Sequence, residues 1–482
     1  MIDRAFFAPL RLPLFRKRFD MNRSSLLAAI AVGVLLPSLA AAQTMPAMSG
    51  HDHSNMHPRA KPEPASPAPA RTAEDHSTMD HGAMDHGAMD QSNMNHGAMS
   101  HDMMAPDGYV TGSGTSRLPG NEAMHGLHFN AGDWALMAHG FVWGAYTDQD
   151  GPRGDNSGFV TSMAMLTATR PLGDGARLSL RSMLSLEPLL GRRGYPNLFA
   201  TGETADGITP LIDRQHPHDL FMELAARIDI DAGPGSVFLY AAPVGEPAIG
   251  PSAFMMRASA RYQSLSPITH HWFDSTHISY GVVTAGYAAP RFQIEASAFR
   301  GREPDQFRWD FEAPRLDSWS VRASWTPSPA WAMQVSHGFL KSPEQLEADL
   351  NERRTTASLH YGRGGLATTF AFSAKNKGPG RTLTAWLAEA NWDITRHHSI
   401  FGRVENVAND ELFPDHSHPL HDQRFRVKKA EGGYAYRLKL TDVVNLALGG
   451  SVAGYAYPAA LVGDYGNAPI SYTLFAKLSL GQ

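Results

Sequence analysis

The chain has 482 residues, 42 Lys and Arg against 47 Asp and Glu, 21 methionines, 23 histidines and no cysteine. Its formal charge of −5 argues against a nucleic-acid partner. The missing cysteine excludes disulfides, thiolate metal sites and thiol catalysis, so any soft metal ligand must be methionine.

The first element is an apolar run from Leu26 to Leu36, preceded by Arg23 and followed by the small residues Ala40, Ala41 and Ala42. The run is too short to span a bilayer as a helix, and its flanks are those of a signal peptide cut near Ala42. Residues 1 to 20 carry Arg4, Arg11, Arg16, Lys17 and Arg18, so either the basic n-region is unusually long or translation starts at Met21, which fits the ordinary length better. Removing residues 1–42 takes away six Lys and Arg and two Asp and Glu, leaving a formal charge of −9. No later apolar run approaches the roughly 20 residues of a membrane helix.

Residues 43–120 are poor in aromatics and rich in Pro, Ala, Gly, Ser, Met and His, a composition that cannot bury enough apolar surface to offset chain entropy. The expectation is a segment disordered without metal. Within it methionine returns every five positions, at Met79, Met84, Met89, Met94 and Met99, with a histidine three residues earlier at His76, His81, His86 and His96; Gln91 interrupts the pattern. His51, His53, Met56 and His57 precede the repeat, and His101, Met103 and Met104 close it. Thioethers are soft, uncharged ligands that select Cu(I), while imidazoles accept Cu(II) as well, so the string is expected to bind copper, with Cu(I) favoured and no organic cofactor. Zn or Ni held by imidazole alone is the alternative, and an incidental low-complexity linker is the plain one. Methionine is too apolar to be an ordinary linker residue.

From Trp134 onward the texture changes to alternating segments of about ten residues. Leu178, Leu180, Leu184 and Leu186 alternate with Ser179, Arg181, Ser185 and Glu187; Leu220, Met222, Leu224, Ala226, Ile228 and Ile230 alternate with Phe221, Glu223, Arg227 and Asp229. Turn signals pair these runs: Gly173-Asp174-Gly175, Gly233-Pro234-Gly235, Ala289-Pro290, Pro327-Ser328-Pro329, Gly362-Arg363-Gly364-Gly365 and Leu440-Thr441-Asp442. Tight turns alternating with long polar loops predict an all-β antiparallel transmembrane barrel over residues 121–482, of roughly 16 strands within a range of 12 to 18. The predicted strands start near Trp134, Phe159, Arg177, Asp219, Ser236, Thr276, Arg291, Ser318, Ala330, Thr355, Leu366, Thr382, Ser399, Arg426, Val444 and Ile470. Trp143, Tyr146, Tyr240, Trp325, Trp331 and Trp392 suit membrane girdles, and would equally suit the core of a soluble β-sandwich, the competing fold. Arg181, Glu187, Glu223, Arg227, Glu295, Arg322, Glu389, Arg403 and Glu405 are expected to face a polar lumen.

Three histidine clusters fall in the predicted long loops: His216, His218 and Asp219; His270, His271, Asp274 and His277; and His416, His418 and His421. If they converge they form a second metal site at the barrel mouth; otherwise they are polar loop residues. No Gly-x-Ser-x-Gly elbow appears, a copper oxidase would need cysteine, and an enzyme is not expected.

On its tail repeats, such as Met79-Asp80-His81-Gly82-Ala83-Met84, and its plan of tail then barrel, the chain resembles the copper resistance protein B family. The resemblance covers roughly residues 45–104 and the general layout. It implies an outer-membrane barrel with its tail in the periplasm, contributing to copper tolerance by sequestration or efflux, with outer-membrane lipid, copper ions and a periplasmic copper oxidase or chaperone as partners. The rival expectations are a general porin whose tail is incidental and a structural or adhesion barrel acting through its loops.

Overall fold

The computed structural model describes residues 108–122, 126–421 and 423–481. The signal segment and every tail ligand from His51 to Met104 lie outside the described residues.

The described chain opens with a small hairpin of β1 (Tyr109–Thr111) and β2 (Arg117–Pro119), then a short strand β3 (Leu127–Ala131). A meander follows through β4 (Trp134–Gln149), β5 (Asn156–Pro171) and β6 (Ala176–Leu184). After a long loop containing the two-residue strands β7 (Tyr195–Pro196) and β8 (Arg214–Gln215), it resumes with β9 (Phe221–Ala232), β10 (Gly235–Gly245), β11 (Ser279–Ala288) and β12 (Phe292–Phe299). The remaining strands are β13 (Ser318–Ser328), β14 (Trp331–Leu340), β15 (Glu352–Arg363), β16 (Leu366–Asn376), β17 (Thr382–Asp393), β18 (His398–Asn409), β19 (Phe425–Lys439), β20 (Val444–Ala456) and β21 (Ile470–Leu480).

Each strand of the meander pairs antiparallel with the next, and β21 pairs with β4 from Ser471↔Gln149 to Leu480↔Gly140, which closes a barrel of 16 strands. Where β21 runs out, β3 takes over the same edge of β4, from Leu127↔Ala138 to Ala131↔Trp134. All sixteen predicted strand starts lie within three residues of the observed ones.

The direction of burial decides what kind of barrel this is. In β13 the buried residues are Ser318, Ser320, Arg322, Ser324 and Thr326, whereas Trp319, Val321 and Trp325 are about half exposed on the outer face. β21 repeats the arrangement, with Ser471, Thr473, Lys477 and Ser479 inside and Ile470, Leu474 and Leu478 outside. A soluble sandwich would bury the apolar set. Polar inside and apolar outside, with every interior strand edge paired, is the solution that lipid demands, and it places the chain in the outer membrane.

Two expectations about individual side chains are corrected here. Trp143 and Tyr240 are not girdle residues: both lie on the lumen-facing parity of their strands and are buried, at 4% and 3% exposure. Trp325 and Trp392 do face outward.

The lumen is crowded. Arg322 pairs with Glu295 at 2.9 Å, Arg403 with Glu389 at 3.1 Å and Lys429 with Glu431 at 3.4 Å. The loop between β10 and β11 folds inward and reaches the far side of the ring. Its Arg257 bonds Glu389 on β17 at 2.6 Å, its Thr269 bonds Glu405 on β18 at 2.9 Å, and its Leu265 and Arg261 carbonyls accept from Arg403 and Lys477.

The N-terminal hairpin is inside too. Arg181 donates to the Gly112 and Gly114 carbonyls, and Arg117 donates to that of Ala289 at 2.8 Å. A Cβ on Gly112 would lie 2.3 Å from Ser252 Oγ, so only glycine fits where this segment passes the infolded loop. Residues 108–120, read from composition as part of the tail, thus belong to the folded barrel.

Replacing Val321 with Arg, on the outer face of mid-β13, should destabilise the barrel by about 2–4 kcal/mol in guanidinium titrations of protein refolded into lipid vesicles. A loss below about 0.5 kcal/mol would mean that this face does not meet lipid.

Candidate metal centre

Two of the three histidine clusters converge inside the barrel. His216 and His218 sit on the extended approach to β9, where Pro217 disfavours helical geometry for the residue before it. His270 and His271 lie on a one-turn helix, α1 (His270–Phe273), in the infolded β10–β11 loop, and His277 follows before β11. All five are buried, between 2% and 6% exposed. Ring centroids are 5.8 Å apart for His216 and His270, 5.6 Å for His216 and His271, 5.1 Å for His270 and His271, 5.3 Å for His270 and His277, and 5.1 Å for His218 and His277. One ring nitrogen each from His216, His270 and His271 lies within 4.8 Å of the others.

The rings are held from behind. His218 Nδ1 meets the Glu187 carboxylate at 2.8 Å, His270 Nδ1 that of Asp274 at 2.8 Å, and His271 Nδ1 that of Glu303 at 3.1 Å. His277 Nδ1 meets the Asp274 carbonyl at 2.6 Å and His216 Nδ1 the Pro217 carbonyl at 3.3 Å. An acceptor at Nδ1 fixes that nitrogen as the N–H and leaves Nε2 with its lone pair. The Nε2 atoms of His218, His271 and His277 are buried without a hydrogen-bond partner. That of His216 lies 3.2 Å from Glu203 Oε1, at an angle that makes no hydrogen bond. Glu203 is itself paired with Arg308.

Unpartnered buried nitrogens facing one another are costly unless something fills the space between them. Carboxylates placed behind imidazoles in this way fix the tautomer and orientation that a metal ligand needs. With bonds of about 2.0–2.1 Å to imidazole, a first-row cation would draw these nitrogens closer together than the 4.8 Å within which they lie. The neutral nitrogen set suits Cu, Zn or Ni and not Mg or Ca.

Burial and the neighbouring imidazoles hold His216 and His277 well below the ordinary imidazole range, and burial lowers His270. These rings are therefore neutral at neutral pH, the form that binds metal. Burial acts on His271 in the same sense, but the charge and hydrogen bond of Glu303 outweigh it and raise the group. Gly202 packs against the edge of His271 between its two nitrogens: with φ of +103°, it brings backbone to where a Cβ would lie 2.5 Å from Cε1 and 2.6 Å from Nε2.

The other predicted residues have different places. Asp219 accepts from Tyr280 at 2.6 Å and from Arg308 at 3.0 Å, outside the histidine group, and Asp274 orients His270 from behind. His416, His418 and His421 do not join the centre. They stay in the β18–β19 loop, where His418 stacks on Phe413 at 4.5 Å, His421 Nδ1 meets the Phe413 carbonyl, and the His416 and His421 rings are 4.3 Å apart. The centre is enclosed, not exposed on the mouth. Sequence reasoning missed the roles of Glu187, Glu203 and Glu303: Glu187 carried a signal as an inward charge, while Glu203 and Glu303 sit in loops with no pattern around them.

No family model matches the chain, and no curated protein matches it. Among solved structures it is similar to OmpF of Salmonella typhi, at 8% identity over 73% of this chain and 100% of that one with a TM-score of 0.46. It is likewise similar to OprB of Pseudomonas putida, at 11% identity over 72% and 94% with a TM-score of 0.45. The outer membrane channel DcaP of Acinetobacter baumannii matches at 11% identity over 74% and 100%, with a TM-score of 0.42. Identities and scores this low say nothing about what the histidine centre binds.

In a chain whose tail methionines and histidines are changed to Leu and Gln, removing the carboxylate behind His271 with Glu303→Gln should weaken Cu(II) or Ni(II) binding at the centre about 10- to 100-fold in competition with a chromophoric chelator. Unchanged affinity would remove the orienting role assigned to Glu303.

Proposed function

We propose that this outer-membrane barrel handles copper. The Met and His tail captures the ion in the periplasm, the lumen histidine centre holds it within the barrel, and the pair contributes to copper tolerance by sequestration or outward passage. The observation that carries this reading is the cluster of five buried histidines, each with Nδ1 held by an acceptor, of which four have Nε2 without a hydrogen-bond partner and three bring ring nitrogens within 4.8 Å of one another. Nothing in the packing of a general channel requires such a group. The tail repeat supports copper over other imidazole-binding metals, because soft, uncharged thioethers favour Cu(I). A periplasmic copper oxidase or chaperone is the partner this reading proposes, and the net negative charge of the mature chain favours cations over anions.

A second reading, a channel for small hydrophilic solutes with an incidental tail, is supported by the closed barrel and its polar inner wall. The hairpin and loop that cross the lumen weigh against a wide pore.

Growth along a copper dose series separates the two. A strain lacking the gene should be copper-sensitive. Rescue should be full with the intact protein, partial with Met79, Met84, Met89, Met94 and Met99 changed to Leu, and partial with His216→Ala plus His271→Ala. The tail variant should also bind fewer Cu(I) equivalents while remaining folded. Equal growth of all strains, together with ordinary ion conductance in planar bilayers, would replace copper handling with the channel reading.

A further inference from the structure

The inner wall changes character beside the histidine centre. Much of it is built of Ser, Thr, Arg, Lys and Glu, but β4, β5, β6 and β9 contribute five buried methionines. Met137, Met163, Met165, Met183 and Met222 are buried in one cluster, with Met255 and Met256 of the infolded loop packed against it. Among the described residues only Met333 lies elsewhere.

Methionine is adaptable filler, and a lone example would need no other account. Two observations point further. Met222 faces inward only because of an irregularity in pairing: Met183 pairs with Glu223 and Leu184 with Phe221, which leaves Met222 as the extra residue of a bulge. Met222 and Glu223 are consequently both buried, at 2% and 3% exposure, where regular alternation would turn one of them to lipid. Bulges re-aim side chains in this way beside functional sites.

The second observation is a cavity of about 40 Å³ whose lining includes Met163, Met222, Met255, His218 and Glu187. His218 is the ring whose Nδ1 is held by Glu187 and whose Nε2 is buried and unpartnered. The space suits an ion with at most a water or two and is far too small for an organic ligand, which needs several hundred Å³.

We propose that Met163, Met222 and Met255, with His218 at the edge, form a site for a soft monovalent cation, Cu(I) or Ag(I), distinct from the His216, His270 and His271 group. Three thioethers and an imidazole are neutral donors of the softness such an ion selects. Lys477 and Arg261 also border the cavity, so the local charge opposes a divalent ion more than a monovalent one. Arg261 is neutralised by Asp393 at 2.9 Å, and Lys477 donates to the Arg261 carbonyl. One added positive charge is tolerated there more readily than two. This site rests on the copper reading only for the identity of the ion in the cell; its capacity for a soft cation stands apart from it.

The test uses the full chain with Met45, Met48, Met56, Met79, Met84, Met89, Met94, Met99, Met103 and Met104 changed to Leu and His51, His53, His57, His76, His81, His86, His96 and His101 changed to Gln, so that the tail offers neither thioether nor imidazole. Ag(I) serves as the probe for the soft site and Ni(II) for the histidine centre, both read by calorimetry and metal analysis. Methionine-to-leucine changes conserve volume and should leave the barrel folded, as read by its heat-dependent gel mobility. Adding Met163→Leu, Met222→Leu and Met255→Leu should remove one Ag(I) equivalent and leave Ni(II) binding unchanged. Should the triple variant fail to fold, Met222→Leu alone should weaken Ag(I) binding at least tenfold. Unchanged Ag(I) binding in the folded triple or single variant, or no Ag(I) binding before they are introduced, would overturn the proposal. A copper-insensitive growth phenotype combined with the predicted Ag(I) loss would remove the copper reading and leave this site standing.

Discussion

A chain that crosses lipid as strands must pair every backbone N–H and C=O within the protein and show the bilayer an apolar face. Sixteen strands closed by β21 against β4 meet the first demand, and the second fixes side-chain parity throughout the barrel. Everything polar is thereby directed inward, into a limited volume where charges must find partners. The Arg322–Glu295 and Arg403–Glu389 pairs answer to that requirement as much as to any function. The polar donors of the two infolded segments then tie those segments to the wall through Arg257, Thr269 and Arg117.

Within this setting the histidine group stands out because it is not self-satisfied. The charged pairs of the wall neutralise one another, whereas the imidazoles are anchored at Nδ1 and four of the five leave a buried Nε2 without a hydrogen-bond partner. The anchors come from three separate connections: Glu187 before β7, Asp274 within the β10–β11 loop, and Glu303 after β12. Bringing them together around five rings depends on the loop being pinned across the lumen. The pinning by Arg257 and Thr269 is therefore part of how the centre is assembled, and the bulge that turns Met222 inward sets a second, softer surface against it.

Strand placement was legible because lipid enforces a period of two on each segment and because Gly173-Asp174-Gly175 and its counterparts mark the tight turns. What was not legible has a common cause. Parity counted from one end of a strand fails past a bulge, so Met222 reads as outward, and aromatics such as Trp143 and Tyr240 look like girdle residues until their register is known. Composition marks residues 108–120 as linker, since the contacts that fold them, to Arg181, Glu295 and Ala289, lie far along the chain. The histidine clusters were visible as clusters, but which of them meet is a matter of loop path. His216 and His270 are brought together, and His416 is not.

The most direct measurement is anomalous diffraction at the copper edge from crystals of the full protein grown or soaked with copper. The account predicts a peak in the lumen about 2.0 Å from ring nitrogens of His216, His270 and His271, with Glu187, Asp274 and Glu303 still at the far side of their rings. A protein that binds copper in solution yet shows no density at these histidines would contradict it and confine the metal chemistry to the tail.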